Sequence, residues 1–333
     1  MKRGHCNHVH DQMPKRRVHV VAAVILNEEG SVFLSRRPSY VDQGGLWEFP
    51  GGKLHANETC LEALKRELDE ELGITVQRAR PLIKVRHEYS DKHLLLDVWE
   101  VREFTGKPYG AEGQVVRWVP RSQLAGYSFP AANETVIKAA MLPHACMVTD
   151  EEADETAFQA ALQASLDRYH PELIRLRGAS LDKDAYLARA RNAAAICQAA
   201  GARLMVGHKD VDAAELSALV EELDLAGVQL TEQQLLNTSE RILPTKRWLA
   251  ASVHNCDALK KAEAIECDFA MLGSVNATGS HPEAEPLHWG GLQRALDQVS
   301  IPVFAIGGMA LADTDRARGV GAQGIAAISA FKA

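Results

Sequence analysis

The chain has 333 residues, 46% of them hydrophobic and 24% charged, with a formal net charge of −7. That length is comfortable for two domains with real cores, and the acidic balance argues against a general surface for nucleic-acid polymers, which is more often basic. No apolar stretch is long enough to span a bilayer and the polar N-terminus lacks a signal-peptide core, so a cytoplasmic protein without a membrane partner is expected. The scattered Cys6, Cys60, Cys146, Cys197, Cys256 and Cys267 form no CxxC pair, which fits reduced thiols.

Residues 1–17 read as a flexible tail, although His5, Cys6, His8 and His10 are suitable transition-metal ligands. A first domain is expected over 18–142. The apolar run Val18–Leu26 predicts a buried strand, and Asn27-Glu28-Glu29-Gly30 a turn into a second strand, Ser31–Arg36. Leu46–Gly52 leads into a glycine loop. Beyond it, Thr59 with Glu62 is a capping-box signature and Gly73 a C-terminal stop. Leu61, Leu64, Leu68 and Leu72 form the apolar stripe of the intervening helix. Glu67, Glu70 and Glu71 sit three and four apart beside that stripe, with Arg66 next to them. Crowded carboxylates repel unless a cation neutralises them, and hard divalent cations take oxygen ligands together with substrate phosphates. A solvated acidic face is the competing reading. Strands near 82–87, 94–102 and 115–119 and a helix over 133–141 complete a mixed sheet with helices on its faces.

Gly52, Glu58, Arg66, Glu67, Leu68, Glu70, Glu71, Gly73 and Ile74 fill every fixed position of the pattern GX5EX7REUXEEXGU, with U aliphatic. In this the domain resembles the Nudix hydrolases, which implies an α/β/α sandwich and metal-dependent cleavage of diphosphates with Mg²⁺ or Mn²⁺. Leu46–Leu54, Asp91-Lys92-His93, Glu112-Gly113-Gln114 and Phe129–Glu134 are similar to the MutT-type branch, the 8-oxo-dGTP diphosphatases. The resemblance implies metal ligation by Glu67, Glu70, Glu71 and Glu112 with Gly51, and catalysis by Glu67 and Glu70 with Arg66; Glu67 is both ligand and candidate base. Gly52 and Glu58 support the loop. Arg37, Phe49, Lys53, Asp91, Lys92 and Asn133 fall at nucleotide-contacting positions. Asn133 presents both a donor and an acceptor to a base edge, with a helix N-cap as its structural alternative. Arg37 and Lys53 have solvated charges as alternatives, the Phe49 ring core packing, and Lys92 replaces an arginine, giving up bidentate contacts.

A second domain is expected over 143–333. Short strands near 145–149, 172–177, 203–207, 227–230, 247–252, 268–272, 302–306 and 324–328 alternate with alanine-rich helical segments, the rhythm of a compact (β/α)8 TIM barrel whose last helix is short or absent. Gly307 and Gly308 after strand seven and Ser329 after strand eight form a candidate phosphate-binding pair of loops, against a tight turn as the alternative. Val148-Thr149-Asp150, Gly227–Leu230, Ala251–His254, Pro302–Gly308 and Gly324–Ser329 resemble the thiamine phosphate synthase and thiazole tautomerase superfamily. Arg175-Leu-Arg177-Gly-Ala179 lacks the synthase lysine, and Gly207-His208 stands where the synthase has Asn-Asp, so metal-dependent synthase chemistry is not expected. Ser252-Val253-His254 keeps the tautomerase histidine, which implies His254 as a proton shuttle, against a helix-start histidine without chemistry. Arg177, His208 and Lys209 are further strand-end polar residues.

The sequence thus points to a two-domain α/β enzyme whose N-terminal domain hydrolyses 8-oxo-dGTP to 8-oxo-dGMP and pyrophosphate, with Mg²⁺ and a barrel that binds a phosphorylated thiazole-type ligand. Two alternatives stand beside it: hydrolysis of a thiamine-pathway diphosphate by a Nudix domain joined to a thiazole tautomerase, or a barrel that binds without catalysis. No oligomeric state is implied.

Overall fold

The computed structural model describes residues 15–152, 154–278 and 285–333. The histidines and cysteine of the expected tail lie outside the described residues, while Arg16 and Arg17 already belong to the first strand. The N-terminal unit contains β1 (Arg16–Leu26), β2 (Ser31–Arg36), β3 (Trp47–Glu48), β4 (Gly51–Lys53), α1 (Cys60–Leu72), β5 (Thr75–Glu88), β6 (Lys92–Thr105), β7 (Val116–Pro120) and α2 (Glu134–Met141). Its mixed sheet runs β3-β2-β1-β6-β5, with β4 added to β1 and β7 to β2. The central strand β1 shows why one apolar run suffices for two layers. Val21, Ala23 and Ile25 face the α1 leucines, whereas Ala22, Val24 and Leu26 face the α2 side with Val136 and Ala139, the alternation that a pleated strand imposes.

β1 begins at Arg16 rather than Val18 because its parallel ladder with β6 starts at the Arg16–Lys92 pair. β5 is also longer than its apolar core, since it pairs antiparallel with β6 from Thr75 to Glu88, with register shifts beside Arg78 and Pro81. A proline cannot donate to the ladder, so it sits where pairing is interrupted; the arginines and proline hid the strand from a hydrophobic reading.

The C-terminal unit is a closed barrel of eight parallel strands: β8 (Ala145–Val148), β9 (Leu173–Arg175), β10 (Arg203–Val206), β11 (Gly227–Leu230), β12 (Trp248–Val253), β13 (Phe269–Leu272), β14 (Val303–Ile306) and β15 (Gly324–Ala327). The helices between them are α3 (Glu155–Tyr169), α4 (Lys183–Ala199), α5 (Ala213–Glu222), α6 (Glu232–Leu236), α7 (Cys256–Ala264), α8 (His288–Leu296) and α9 (Thr314–Gly319). Among the described residues, β15 is followed by a three-residue 3-10 turn, Ser329–Phe331. Cys146, Val148, Met205, Phe269, Met271 and Phe304 fill the interior, while the intervening residues pack against the helices.

The two units meet without a long linker. Leu142 packs with the interior residues of the barrel. Gln323 donates from Nε2 to the carbonyls of Ala139, Leu142 and Pro143 at 3.0, 3.3 and 3.3 Å. Glu100 of β6 accepts from Arg318 at 3.0 Å and contacts His144 Nε2 at 2.8 Å.

Candidate active site

The capping box at the start of α1 is formed: the Thr59 hydroxyl accepts from Glu62 N and the Glu62 carboxylate accepts from Thr59 N, while Gly73 ends the helix in the left-handed conformation. With Leu64, Leu68 and Leu72 buried, the helix is fixed in rotation and its glutamates are directed to the rim of the sheet. Gly51 and Gly52 on β4 allow the close approach. A Cβ at Gly51 would stand 2.1 Å from Val21 O, and one at Gly52 would stand 2.2 Å from the Glu67 carboxylate.

Arg66 organises the acidic groups. It grips both oxygens of Glu58, from Nε at 2.6 Å and Nη2 at 2.9 Å, and reaches Glu67 Oε1 at 2.8 Å and Glu70 Oε2 at 3.4 Å. The Arg66 hydrogen bonds hold the Glu58 carboxyl down at about 2. Glu58 also accepts from His55 N, and the Lys53 carbonyl accepts from Arg66, so the loop between β4 and α1 is tied at both ends. These contacts give Glu58 and Arg66 supporting positions.

Glu71 differs from its neighbours. Burial pushes its carboxyl up to about 8, against the Gly51 N–H that it accepts at 3.2 Å and with the charges of Glu48, Glu67 and Glu112 adding to the rise. A half-buried carboxylate surrounded by other carboxylates is a site short of positive charge, and a divalent cation fits that donor set. Glu112 is held nearby because the Gly110–Gln114 loop is strapped to the end of α1: Ala111 N and Gln114 Nε2 both donate to Glu71 O, at 2.9 and 3.0 Å. Glu70 stands apart, more than half exposed and drawn to Arg66. Among the described residues the four glutamates do not form a group with all ligand atoms within 4.8 Å of one another.

Glu48 is the residue that sequence reasoning missed. It is partly buried, which raises its carboxyl against the pull of Arg37, and it pairs with Arg37 Nη1 at 2.5 Å. Its only signal was its place in a two-residue strand before the glycines. Arg37 is therefore a paired side chain rather than a solvated charge; its Nε also donates to the Asp42 carbonyl, and the Asp42 carboxylate contacts Lys92 at 3.3 Å. Arg37 and Lys92 are thus brought together through Asp42. Asp91 is exposed on the turn between β5 and β6, and Lys53 is also exposed. Phe49 is buried and stacks on Phe129, ring centres 5.4 Å apart. Asn133 is 8% exposed and its side chain makes no capping bond to α2, so the N-cap alternative is not what holds it there.

In the barrel, His254 follows β12. Glu232, the first residue of α6, places Oε2 2.7 Å from both His254 N and His254 Nδ1, and its other oxygen is 3.3 Å from Asn255 Nδ2. Glu232 was not anticipated; its only signal was its place after the helix cap Thr231. His208, one of the strand-end polar residues, is engaged within the barrel wall. It is buried, stacks on Tyr186, meets the Gly178 carbonyl through Nε2 at 3.1 Å and accepts from Asp210 N through Nδ1. Arg177 pairs with Glu151 at 3.6 Å, and Lys209 lies exposed beyond His208. Gly307 and Gly308 have positive φ, and Cβ atoms there would meet Ser274 Cα at 2.8 Å and Asn276 Cβ at 3.0 Å. The positive φ at both positions, with the close approach at Gly307, accounts for glycine there without reference to a ligand.

The mixed sheet with its glutamate helix and the closed parallel barrel are two different folds joined in one chain. Residues 145–331, more than half of the chain, match the thiamine monophosphate synthase family, and residues 21–139 match the NUDIX domain. The chain belongs to the thiamine monophosphate synthase family through its barrel and carries a Nudix hydrolase domain before it. The Nudix half is similar to the 8-oxo-dGTP diphosphatase of Escherichia coli K12, 38% identical over 122 residues that make up 37% of this chain and 95% of that protein. It is also similar to the CTP pyrophosphohydrolase of the same organism, 34% identical over 130 residues, 39% of this chain and 96% of that protein. The barrel is similar to the thiamine-phosphate synthase of Prochlorococcus marinus MIT 9313, 29% identical over 195 residues, 56% of this chain. The match spans only about half, 52%, of that relative. Among the described residues no helix is long and apolar enough to cross a membrane.

Proposed function

We propose that the Nudix domain hydrolyses 8-oxo-dGTP to 8-oxo-dGMP and pyrophosphate, with Mg²⁺ or Mn²⁺, and so removes an oxidised precursor from the nucleotide pool. The observation that carries the reaction class is Glu71, half-buried, accepting from Gly51 N and surrounded by Glu48, Glu67 and Glu112. Attack on a polyphosphate is opposed by its own negative oxygens; a divalent cation held by Glu67, Glu71, Glu112 and the Gly51 carbonyl, with Glu70 at the edge, would neutralise them and position water. Arg66 keeps Glu67 aligned while Glu58 anchors Arg66. Glu67 is the candidate to accept the proton of the attacking water. The oxidised purine is supported by the diphosphatase relative and by Asn133, whose amide is not used to cap α2. Hydrogen bonds to the oxidised base edge would be left unsatisfied by dGTP, the kind of contact that discriminates strongly.

Initial rates on 8-oxo-dGTP, dGTP and CTP, measured side by side with Mg²⁺ and with products identified, test this reading. A strong preference for the oxidised nucleotide with pyrophosphate released supports it; equal rates on all three retain the hydrolase and reject the substrate. The covalent union with a barrel of the thiamine monophosphate synthase family favours a second reading, a thiamine-pathway diphosphate as substrate, and that compound class is the next to assay. For the barrel, the reading is a site for a phosphorylated thiazole-type ligand at Gly307, Gly308 and Ser329, with His254 as proton shuttle oriented by Glu232. A cytoplasmic enzyme acting on soluble metabolites fits both halves.

A further inference from the structure

We propose that His19, Cys60 and Asp97 form a second metal site in the Nudix domain, one for a Zn²⁺-type cation rather than Mg²⁺. Among the described residues this is the group of His, Cys, Asp and Glu side chains whose ligand atoms all lie within 4.8 Å of one another. Cys60 Sγ is 3.5 Å from Asp97 Oδ2 and 3.9 Å from His19 Nε2, and His19 Nε2 is 3.8 Å from Asp97 Oδ2. Bonds of about 2.0–2.3 Å to a tetrahedral zinc put neighbouring ligand atoms roughly 3.3–3.6 Å apart. The three atoms thus stand within a few tenths of an ångström of a zinc-bound triangle, with the fourth position left for water.

The fold builds this triangle from three elements. His19 lies on β1 and Asp97 on β6, where Asp97 pairs with Val21, a residue of the α1 face. Cys60 is the first residue of α1, immediately after the Thr59 cap. Asp97 is 5% exposed, and among the described residues its ion-pair partner is His19. The buried carboxylate faces the His19 imidazole and accepts from the Cys60 thiol, so all three ligand atoms converge on one point that a cation could occupy.

Donor chemistry selects the ion. Thiolate and imidazole suit zinc and its neighbours, whereas Mg²⁺ takes oxygen ligands and keeps water. The catalytic glutamates and this triad therefore select different metals within one small domain. Burial, and then the charge of Asp97, push the Cys60 thiol up, with Lys84 opposing. Metal would displace that proton, and His19, Asp97 and Lys84 are the other groups facing it. The site would clamp the start of α1 to β1 and β6, next to the loop that carries Glu58.

The test is Co²⁺ and Zn²⁺ titration of the chelator-stripped full chain in the presence of Mg²⁺. Co²⁺ reports a thiolate ligand through a ligand-to-metal charge-transfer band. The expected result is one such band, abolished in Cys60→Ser, weakened about tenfold or more in affinity in Asp97→Asn and His19→Ala, displaced by Zn²⁺ and unchanged in Cys6→Ser. A band that survives Cys60→Ser with native circular dichroism, or no thiolate band in the wild type, overturns the proposal. Should Cys60→Ser fail to fold, unchanged affinity in both Asp97→Asn and His19→Ala overturns it equally.

Discussion

The carboxylate of Glu67 lies so close over Gly52 that a Cβ on the glycine would stand 2.2 Å from the carboxyl carbon. Gly52 is an absence of side chain that lets the glutamate sit against the β4 backbone, where Arg66 Nη1 reaches it. Gly52→Ala must displace Glu67 while leaving the leucine face of α1 intact. The expected outcome is a loss of kcat of roughly a hundredfold, the scale of a misplacement near 1 Å, with a cooperative melt retained. Steady-state kinetics and calorimetry on the same preparation check it; wild-type turnover would show that the contact is not needed.

Glu71 gives the domain a pH dependence whose sign is fixed. Its folded carboxyl sits at about 8, against an ordinary value of 4.5. Between those values the folded protein holds a proton that the unfolded chain has released, so stability is full below the lower value and falls as pH rises toward the upper one. At about 1.4 kcal/mol per unit the effect reaches a few kcal/mol. Without metal, Tm should fall between about pH 5.5 and about pH 8.5 in the wild type, and less in Glu71→Gln. Added Mg²⁺ should raise Tm more at the higher pH, where Glu71 is ready to ionise. A flat wild-type profile contradicts the raised carboxyl of Glu71.

What could be read from the sequence follows the physics of each element. α1 was legible to its caps because Thr59, Glu62 and Gly73 act locally. The barrel strands were legible because buried parallel strands are short apolar runs. β5 was not legible over its full length, since its outer half is arginine-rich and held by pairing with β6. In the site, the box glutamates were visible as a spacing, but Glu48 joins through the fold, from a strand of two residues. Glu232 and His254 are 22 residues apart in sequence and meet only because β11 and β12 are neighbours. His208, read as a strand-end polar group, is taken up by Tyr186 and Gly178, which no local pattern announces.

Glu100 links the two units. It is buried, yet its carboxyl is held well below the usual range: burial alone would raise it, and the contacts with His144, Arg102 and Arg318 together outweigh that. Arg318 is 5% exposed. Removing one partner of a buried pair costs about 3–5 kcal/mol, because the other is left uncompensated. Glu100→Leu should therefore destabilise the junction on that scale and separate the unfolding of the Nudix sheet from that of the barrel. Differential scanning calorimetry should resolve two transitions in the variant against one in the wild type, and an unchanged single transition would show that the other interface contacts suffice.

Glu232 and His254 make the barrel proposal specific. One carboxylate oxygen lies 2.7 Å from both the backbone N and Nδ1 of His254, which would fix the ring's orientation. If the barrel tautomerises a thiazole phosphate, His254→Asn should abolish that activity, while Glu232→Gln should lower kcat with KM little changed. Tautomerisation that survives His254→Asn removes the shuttle from the scheme. A wild type with no activity that still binds the phosphorylated compound by calorimetry makes the barrel a binding module.

Base selection rests on Asn133. The residue is buried at the entry to α2, four positions after the Phe129 ring that stacks on Phe49, and its amide is not used as a cap. Replacing it with alanine would delete donor and acceptor together and leave the phosphate end of the site untouched. Asn133→Ala should therefore lower kcat/KM for 8-oxo-dGTP by about ten- to a hundredfold, the range of about 1.4–2.7 kcal/mol for hydrogen bonds to a buried group, and lower that for dGTP far less. The ratio of the two specificity constants is the decisive quantity, since a general packing defect would depress both alike. Equal losses on the two nucleotides would take the base-reading role from Asn133 and leave it a structural residue beneath the aromatic pair.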